Sequence, residues 1–424
     1  MPYLILLLLF LLVGCQVMDP ADHYEADQLS VEQEKFVDRR EVLKKEAEEN
    51  SLEDKADFFE TKIKKNMPMG LAMIPKYYGE KVGDELRVDL NCHLLAAMAF
   101  KYDVTKDEKD LAFVKQLFHS FIQVDEANGM DGYLPVKVRY DEEKTLILNN
   151  ECHENVYVQL FFAYQIVYDK VPQLREDVKD HLKIIFKHFM KNNFTLHDQN
   201  DVEVPYSDLK PNSWQVYNNR RLSMISMIDL GRRCFGGNLR AELELIYLQL
   251  EHLSYPYFVQ RQAYRSFNLE FPTHSSSWLN YLKIYNGFTA SKSDFYKKSF
   301  ENLEKFYSNQ NNPFSKLVGH GIGVYDLDEV DVIVMQNLET FPLDLRQYPT
   351  LGSLDTASKM GSYVKLEARE EATEFVPVYA RPYKSIEWKH NQLRLDGNFN
   401  STGNKCFTGV DYLIVYWMWR SFKK

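Results

Sequence analysis

The sequence predicts an all-α protein: an (α/α) toroid of about five to six helical hairpins, with long loops on one face and a small β/loop region near the C-terminus. Three observations predict it. Apolar residues recur at helical spacing in paired segments. The turns inside these pairs, centred near residues 105, 171, 236 and 290, repeat at intervals that mark a two-helix unit. Finally, the links inside a pair are short and the links between pairs are long. In an alternating array that asymmetry gathers every long loop at one end, as in a closed toroid with a cleft.

Taken in order, Met1 to Gly14 is an apolar run too short to span a bilayer and of the length of a signal-peptide core. Leu12-Val13-Gly14-Cys15 resembles the bacterial lipobox, although no Lys or Arg precedes the apolar run. That resemblance implies a signal peptide and lipobox over residues 1–15, a lipid on Cys15, and a partner membrane in the bacterial cell envelope. Gln16 after the cysteine leans toward the outer membrane. Asp19 to Lys65 is rich in Glu, Lys and Asp, so residues 16–65 are expected to form a charged tether or solvated helix. The toroid domain is then expected over 66–424, and the stretch from Phe58 onward could already belong to it.

The first pair is Asn91 to Tyr102, with Leu94, Leu95, Met98 and Ala99 on one face, and Lys109 to Val124. The second is Asn155 to Val167 and Leu174 to Met190, broken at Tyr168 to Pro172. The third is Leu222 to Cys234 and Leu239 to Leu250, joined by Phe235-Gly236-Gly237-Asn238. The fourth is Ser276 to Tyr285 and Phe295 to Tyr307, joined through Asn286-Gly287 and Thr289-Ala290-Ser291. Val332 to Leu345 and Gly409 to Phe422 are expected to supply a later pair. Gly, Asn, Asp and Pro at the joints are the expected breakers and caps. Tyr363 to Leu366, Phe375 to Tyr379 and Ile386 to Trp388 read as short strands that could lie over the cleft.

Several motifs carry a resemblance: Thr105-Lys106-Asp107, Asp131-Gly132-Tyr133-Leu134-Pro135, Asn150-Glu151-Cys152-His153-Glu154, the segment Asn193 to Asp198, and the closing Gly409 to Met418. In this order, over roughly residues 85 to 420, the chain is similar to bacterial six-hairpin (α/α) toroid proteins related in fold to glycosidases and polysaccharide lyases. The resemblance implies a carbohydrate ligand held in the cleft.

Candidate chemistry sits in the long loops. Asp131 with Glu151 or Glu154 could form the carboxylate pair that glycoside hydrolysis needs, with one member held protonated. The alternative is that Asp131 holds its turn while Glu151 and Glu154 cap a helix. A lyase would instead use His153 or His274 with a tyrosine, and Arg139 or Arg220 to neutralise a uronic acid. Tyr133, Trp214, Tyr217, Glu270, Trp278 and Trp388 are expected to bind substrate, although Trp and Tyr are equally ordinary wedges between helices. A single imidazole near Glu151 and the lack of an HExxH motif speak against zinc, and no cofactor is expected. A chain with net charge −10 and no basic cluster is a poor partner for nucleic acid. Cys92, Cys152, Cys234 and Cys406 form no CxxC and fit either disulfides or buried thiols. The functional expectation is an anchored envelope protein that binds, and in one reading cleaves, a carbohydrate. The rival is a non-catalytic envelope scaffold or binding lipoprotein.

Overall fold

The computed structural model describes residues 39–67, 73–78, 81–127, 129–140, 146–148, 152–192, 195–198, 200–208, 218–235, 274–307, 310–346, 363–366, 369–372, 375–381, 386–390, 392–393 and 406–424. The chain divides into two compact units, Met1–Arg39 and Arg40–Lys424. All but the last residue of the first unit lies outside the described residues. The second is the mostly helical toroid.

Its inner helices are α3 (Val88–Thr105), α5 (Glu154–Lys170), α7 (Asn218–Phe235), α8 (His274–Ser291), α10 (Pro313–Gly321) and α12 (Val410–Phe422). Each packs along the next, and α12 packs along α3, so the ring closes. Outside it, α4 (Glu108–Glu126) backs α3, α6 (Arg175–Lys191) backs α5, α9 (Asp294–Tyr307) backs α8, and α11 (Leu327–Glu339) backs α10. The segment expected to back α7, Leu239 to Leu250, lies outside the described residues. The burial pattern follows the sequence: nearly every residue from Asn91 to Phe100 is buried, whereas α6 and α9 bury one stripe each.

The segments expected as a later pair, Val332 to Leu345 and Gly409 to Phe422, do meet: α11 packs on α12, with the Trp419 indole donating to Asp331 at 2.6 Å. In addition α11 backs α10, and α12 packs on α2 (Leu52–Lys65) near the start of the unit. Helix α2 opens with a capping box in which Ser51 and Asp54 satisfy each other's backbone amides. Although it falls in the stretch read as a charged tether, its Ala56, Phe59 and Ile63 are fully buried. Phe59 sits between Phe341 and Tyr412, at centroid distances of 5.8 and 5.4 Å. The charges on α2 are also used. Lys55 donates to the carbonyls of Leu338 and Glu339 at the end of α11, and Glu60 meets Lys101 of α3 at 2.9 Å. A further helix, α1 (Arg39–Glu49), precedes α2.

Helix α8 runs through Asn286-Gly287 and ends at Ser291, so the joint to α9 is Lys292-Ser293 rather than the earlier break expected from composition. Gly287 is a packing glycine here. A Cβ on it would stand 2.0 Å from the ring of Tyr296, so its lack of a side chain lets α9 approach.

Strands are more numerous than expected. β1 (Pro75–Tyr78), β2 (Lys81–Arg87), β3 (Lys137–Tyr140) and β4 (Leu146–Leu148) form an antiparallel sheet in that order. β5 (Thr195–His197) pairs with β6 (Glu203–Asp208), and β7 (Tyr363–Leu366) with β8 (Arg369–Ala372). Tyr363 to Leu366 is thus a strand as expected. Val378–Ala380 is instead a single 3-10 turn, and 386–390 is a series of turns. Cys92, Cys152, Cys234 and Cys406 are buried free thiols. No described helix is long and apolar enough to cross a membrane.

Truncating the aromatic anchor of the closing seam, Phe59→Ala, is expected to cost about 3–5 kcal/mol through lost burial and an unfilled cavity. A solvated tether helix would lose almost nothing, so a urea unfolding curve for the variant separates the two.

Candidate functional site

Because the hairpins alternate, all six inner helices begin at one rim and end at the other. The long inter-hairpin segments therefore meet where the helices begin. Strand β2 runs into α3 without a loop, and Val88 N–H donates to Val136 of the neighbouring β3 segment at 3.1 Å. This junction sets Arg87, Asp89 and His93 at the rim. Arg87 grips Asp89 through two hydrogen bonds, Nε to Oδ1 at 3.0 Å and Nη2 to Oδ2 at 2.6 Å.

Across from them the turn 386–390 straps the starts of α10 and α12. Asn312 Nδ2 donates to the Trp388 carbonyl at 2.6 Å. The Trp388 indole donates to the Asp411 carbonyl at 2.7 Å, and the Trp388 amide donates to Asp411 Oδ1 at 3.2 Å. Held in this way, Glu387 binds Lys389 at 3.1 Å and His390 at 3.3 Å. Lys389 keeps 40% of its side chain exposed while Glu387 keeps 15%, so the cluster opens to solvent at the lysine and is covered at the carboxylate.

The electrostatics divide these groups. Burial pushes the Asp411 carboxyl up, the nearby Glu387 charge adds to this, and the result is about 7. Burial also acts on Glu387, but Lys389 and His390 outweigh it and hold that carboxyl down at about 2. The surroundings thus push the two carboxyls in opposite directions.

His93 is 7% exposed. It stacks on Trp278 with ring centroids 5.2 Å apart and planes 15° apart. Burial lowers its imidazole to about 4, against the pull of Asp89 and a hydrogen bond with Gln159. Its Nε2 is buried with no hydrogen-bond partner among the described residues. A buried polar atom left open in this way is costly in a native protein.

The residues singled out from the sequence divide as follows. Asp131 is exposed, in a turn packed on α6, where a Cβ on Gly132 would stand 2.6 Å from His188 Cβ. That turn is fixed by Asp125, which accepts the Gly132 amide at 2.7 Å, and by Tyr157, whose hydroxyl donates to the Gly132 carbonyl. Tyr133 is fully buried core and offers no face to a ligand, contrary to expectation. Arg139 is exposed on β3, and His153 is exposed at the start of α5 without capping it. Glu154 faces the ring axis, where it accepts from the Ser223 hydroxyl and pairs with buried Lys283 at 3.2 Å. The structure does not bring Asp131 and Glu154 together, because one lies against an outer helix and the other against inner ones. Glu151, Trp214, Tyr217 and Glu270 lie outside the described residues, as does Cys15. Arg220 and His274 lie in the first turns of α7 and α8, and only their backbone is described.

Two tryptophans need correction as sugar platforms. Trp278 is covered by His93 and by Phe314, whose centroid is 4.1 Å away, so it is 5% exposed. Trp388 is 1% exposed and serves as the pin of the strap. Sequence reasoning missed Arg87, Asp89, His93, Gln159, Glu387, Lys389, His390 and Asp411. Two signals pointed to them: the charged run around Trp388, and the first-turn positions of inner helices. Among the described residues no three His, Cys, Asp or Glu side chains group as a metal site.

No family model matches the chain, and no curated protein matches it. Among solved structures it is similar to a sugar epimerase from a ruminal bacterium, at 13% identity and a TM-score of 0.48, over 87% of this chain and 97% of that one. At that degree of likeness the residues of this chain must carry the functional reading themselves.

The His93 shift has a measurable consequence. The unfolded imidazole takes up its proton near 6.5 and the folded one only near 4, so the unfolded state binds more protons between these values. Stability is therefore expected to fall by about 3 kcal/mol as pH drops through that window. The loss should be absent from His93→Gln, with chemical denaturation at pH 4 and 7 as the measurement.

Proposed function

We propose that the protein binds a carbohydrate in the rim cleft and carries out acid–base chemistry on it. The observation that carries this reading is the Glu387–Asp411 pair, which the strap joins through the Trp388 amide on Asp411 Oδ1. Lys389 and His390 pair with Glu387 and hold its carboxyl down, and burial pushes Asp411 up. Such a split assigns an acid and a base at neutral pH, and hydrolysis of a glycosidic bond requires that division of roles. Asp411 would supply a proton to a leaving oxygen. Glu387 would stabilise or attack the developing positive charge, or activate water. Around the pair, Arg87, Lys389 and His390 donate hydrogen bonds while Asp89 and Glu387 accept them. A wall that mixes donors and acceptors suits hydroxyl groups, which are both.

The non-catalytic scaffold is kept as a second reading because of one observation. His93, Phe162, Trp278 and Phe314 fill the ring interior below the rim, and among the described residues no exposed indole is left there to stack on a sugar. Anchoring through a lipid on Cys15 completes the proposal and rests on the apolar leader and its resemblance to a lipobox. Cys15→Ala expressed in a bacterial host should no longer incorporate labelled palmitate, and uptake equal to wild type would remove the anchor.

The two readings part in a binding and degradation screen of the purified chain against a glycan panel. Asp411→Asn and Glu387→Gln are each expected to lower product release about 10²- to 10⁴-fold. Asp131→Asn should leave it within about twofold. Binding without product release, unchanged in the first two variants, would favour the scaffold.

A further inference from the structure

A buried cation packs against the strap. Arg381, directly after the 3-10 turn Val378–Ala380, is 3% exposed, and its guanidinium carbon lies 6.0 Å from the centroid of the Trp388 ring. Among the described residues every atom it hydrogen-bonds is a neutral oxygen. Its Nε donates to the Val376 carbonyl at 2.8 Å, its Nη2 to Asn337 Oδ1 of α11 at 2.7 Å, and its Nη1 to Gln392 Oε1. Burial pushes its guanidinium down to about 9, and no carboxylate acts against that. A buried charge without a partner of opposite sign is costly, and an apolar side chain of similar volume would fill the same space at less cost.

What an arginine supplies at this place is direction. A guanidinium has donors and no acceptor, so the Gln392 oxygen must face it and the Gln392 NH2 must face away. That NH2 donates to the carbonyls of His390 at 2.7 Å and Glu387 at 3.2 Å, while the His390 amide donates to the Glu387 carbonyl at 3.1 Å. Both donors of the side chain are thereby engaged in closing the turn 387–390. Gln392 is fully buried, so bulk water does not compete for these bonds. A reversed amide would set its oxygen against two carbonyl oxygens and its NH2 against the guanidinium.

We propose that Arg381 and Gln392 are positioning residues of the rim cleft: Arg381 orients the Gln392 amide, and that amide holds the 387–390 turn in the form that lays the Trp388 amide on Asp411 and carries Glu387 with it. The inference rests on reading Glu387 and Asp411 as the working pair of the cleft. It gives the outer helix α11 a part in the site, because Asn337 bonds the same guanidinium.

Gln392→Glu keeps the length of the side chain and gives Arg381 a carboxylate, but it loses both donors to the turn. Hydrogen exchange of the full chain, followed by NMR, should show the Trp388 indole proton exchanging at least about tenfold faster, with the core amides of α3 unchanged. The Asp411 carboxyl midpoint, read by carbon NMR and assigned by its loss in Asp411→Asn, should fall by about one pH unit or more. Burial and the Glu387 charge are what raise it, and the strap supplies both. Arg381→Met removes the unpaired charge and frees the Gln392 amide, so it should move both readouts in the same directions. A Trp388 proton or an Asp411 midpoint that ignores either substitution overturns the proposal. So do α3 amides that speed up as much as the strap, since the network would then only hold the fold. Neither readout needs a ligand, and failure of the carbohydrate reading shows itself separately in the glycan screen.

Discussion

A closed ring of helix pairs has no free edge, and that constraint governs the molecule. The outer place beside the inner helix α12, which begins at Val410, is filled from elsewhere in the unit. Helix α2 takes that place from the other end of the unit, seating Phe59 between Tyr412 and Phe341. Tyr412 reaches back to donate to the Leu52 carbonyl at 2.7 Å, and Lys101 ties Glu60 and Asp110 to the same seam. Gly409 permits the join. It holds a φ of +89°, and a Cβ there would lie 2.3 Å from the Phe59 ring. Closing so long a loop is entropically expensive, and the close packing of several aromatic rings offsets it.

Closure also fixes the two ends of the ring as electrostatically different places. At the rim where inner helices end, backbone carbonyls point outward and favour cations. Asp103 and Asp169 fall there, in the last turns of α3 and α5, and each is compensated. Lys106, Lys170 and Lys424 surround Asp103 while Ser421 donates to it, and together they hold its carboxyl well below the usual range in spite of burial. Asp169 is met by Arg233 of α7. These bridges link neighbouring inner helices to one another and tie this rim together.

The helices were legible in the sequence because inner helices such as α3 and α12 are apolar nearly all round and outer ones such as α6 and α9 on a single stripe. The short turns inside the pairs were legible for the same reason. What was not legible came from contacts distant along the chain. Helix α2 looks like a tether because its composition is charged, and only the fold shows that Lys55 and Glu60 have buried partners waiting. Gly287 looks like a breaker because sequence carries no information on the ring that needs its space. At the site, Trp278 and Trp388 were found as residues but misread as platforms, since a tryptophan that caps a histidine and one that pins a strap have the same signature as one that binds sugar. His93 was hidden by its setting among Leu94, Leu95 and Ala96, where a lone polar residue reads as a satisfied core position.

The same helix geometry accounts for the division between the two carboxyl groups. Asp89, Glu154 and Asp411 all stand in first turns of inner helices, where unpaired amides favour negative charge. Were that field alone in control, all three would be fully ionised. Asp89 has Arg87 and Glu154 has Lys283 as a dedicated partner. Among the described residues Asp411 forms no ion pair of its own. The nearest cation is Lys389, already engaged by Glu387, and the Glu387 charge lies close by. Two carboxylates must then share one lysine in a covered site. Glu387, which also has His390, wins the charge, and Asp411 is left to take the proton. The acid in this cleft therefore arises from a shortage of cations at one helix start, and an added positive charge there would be expected to remove it.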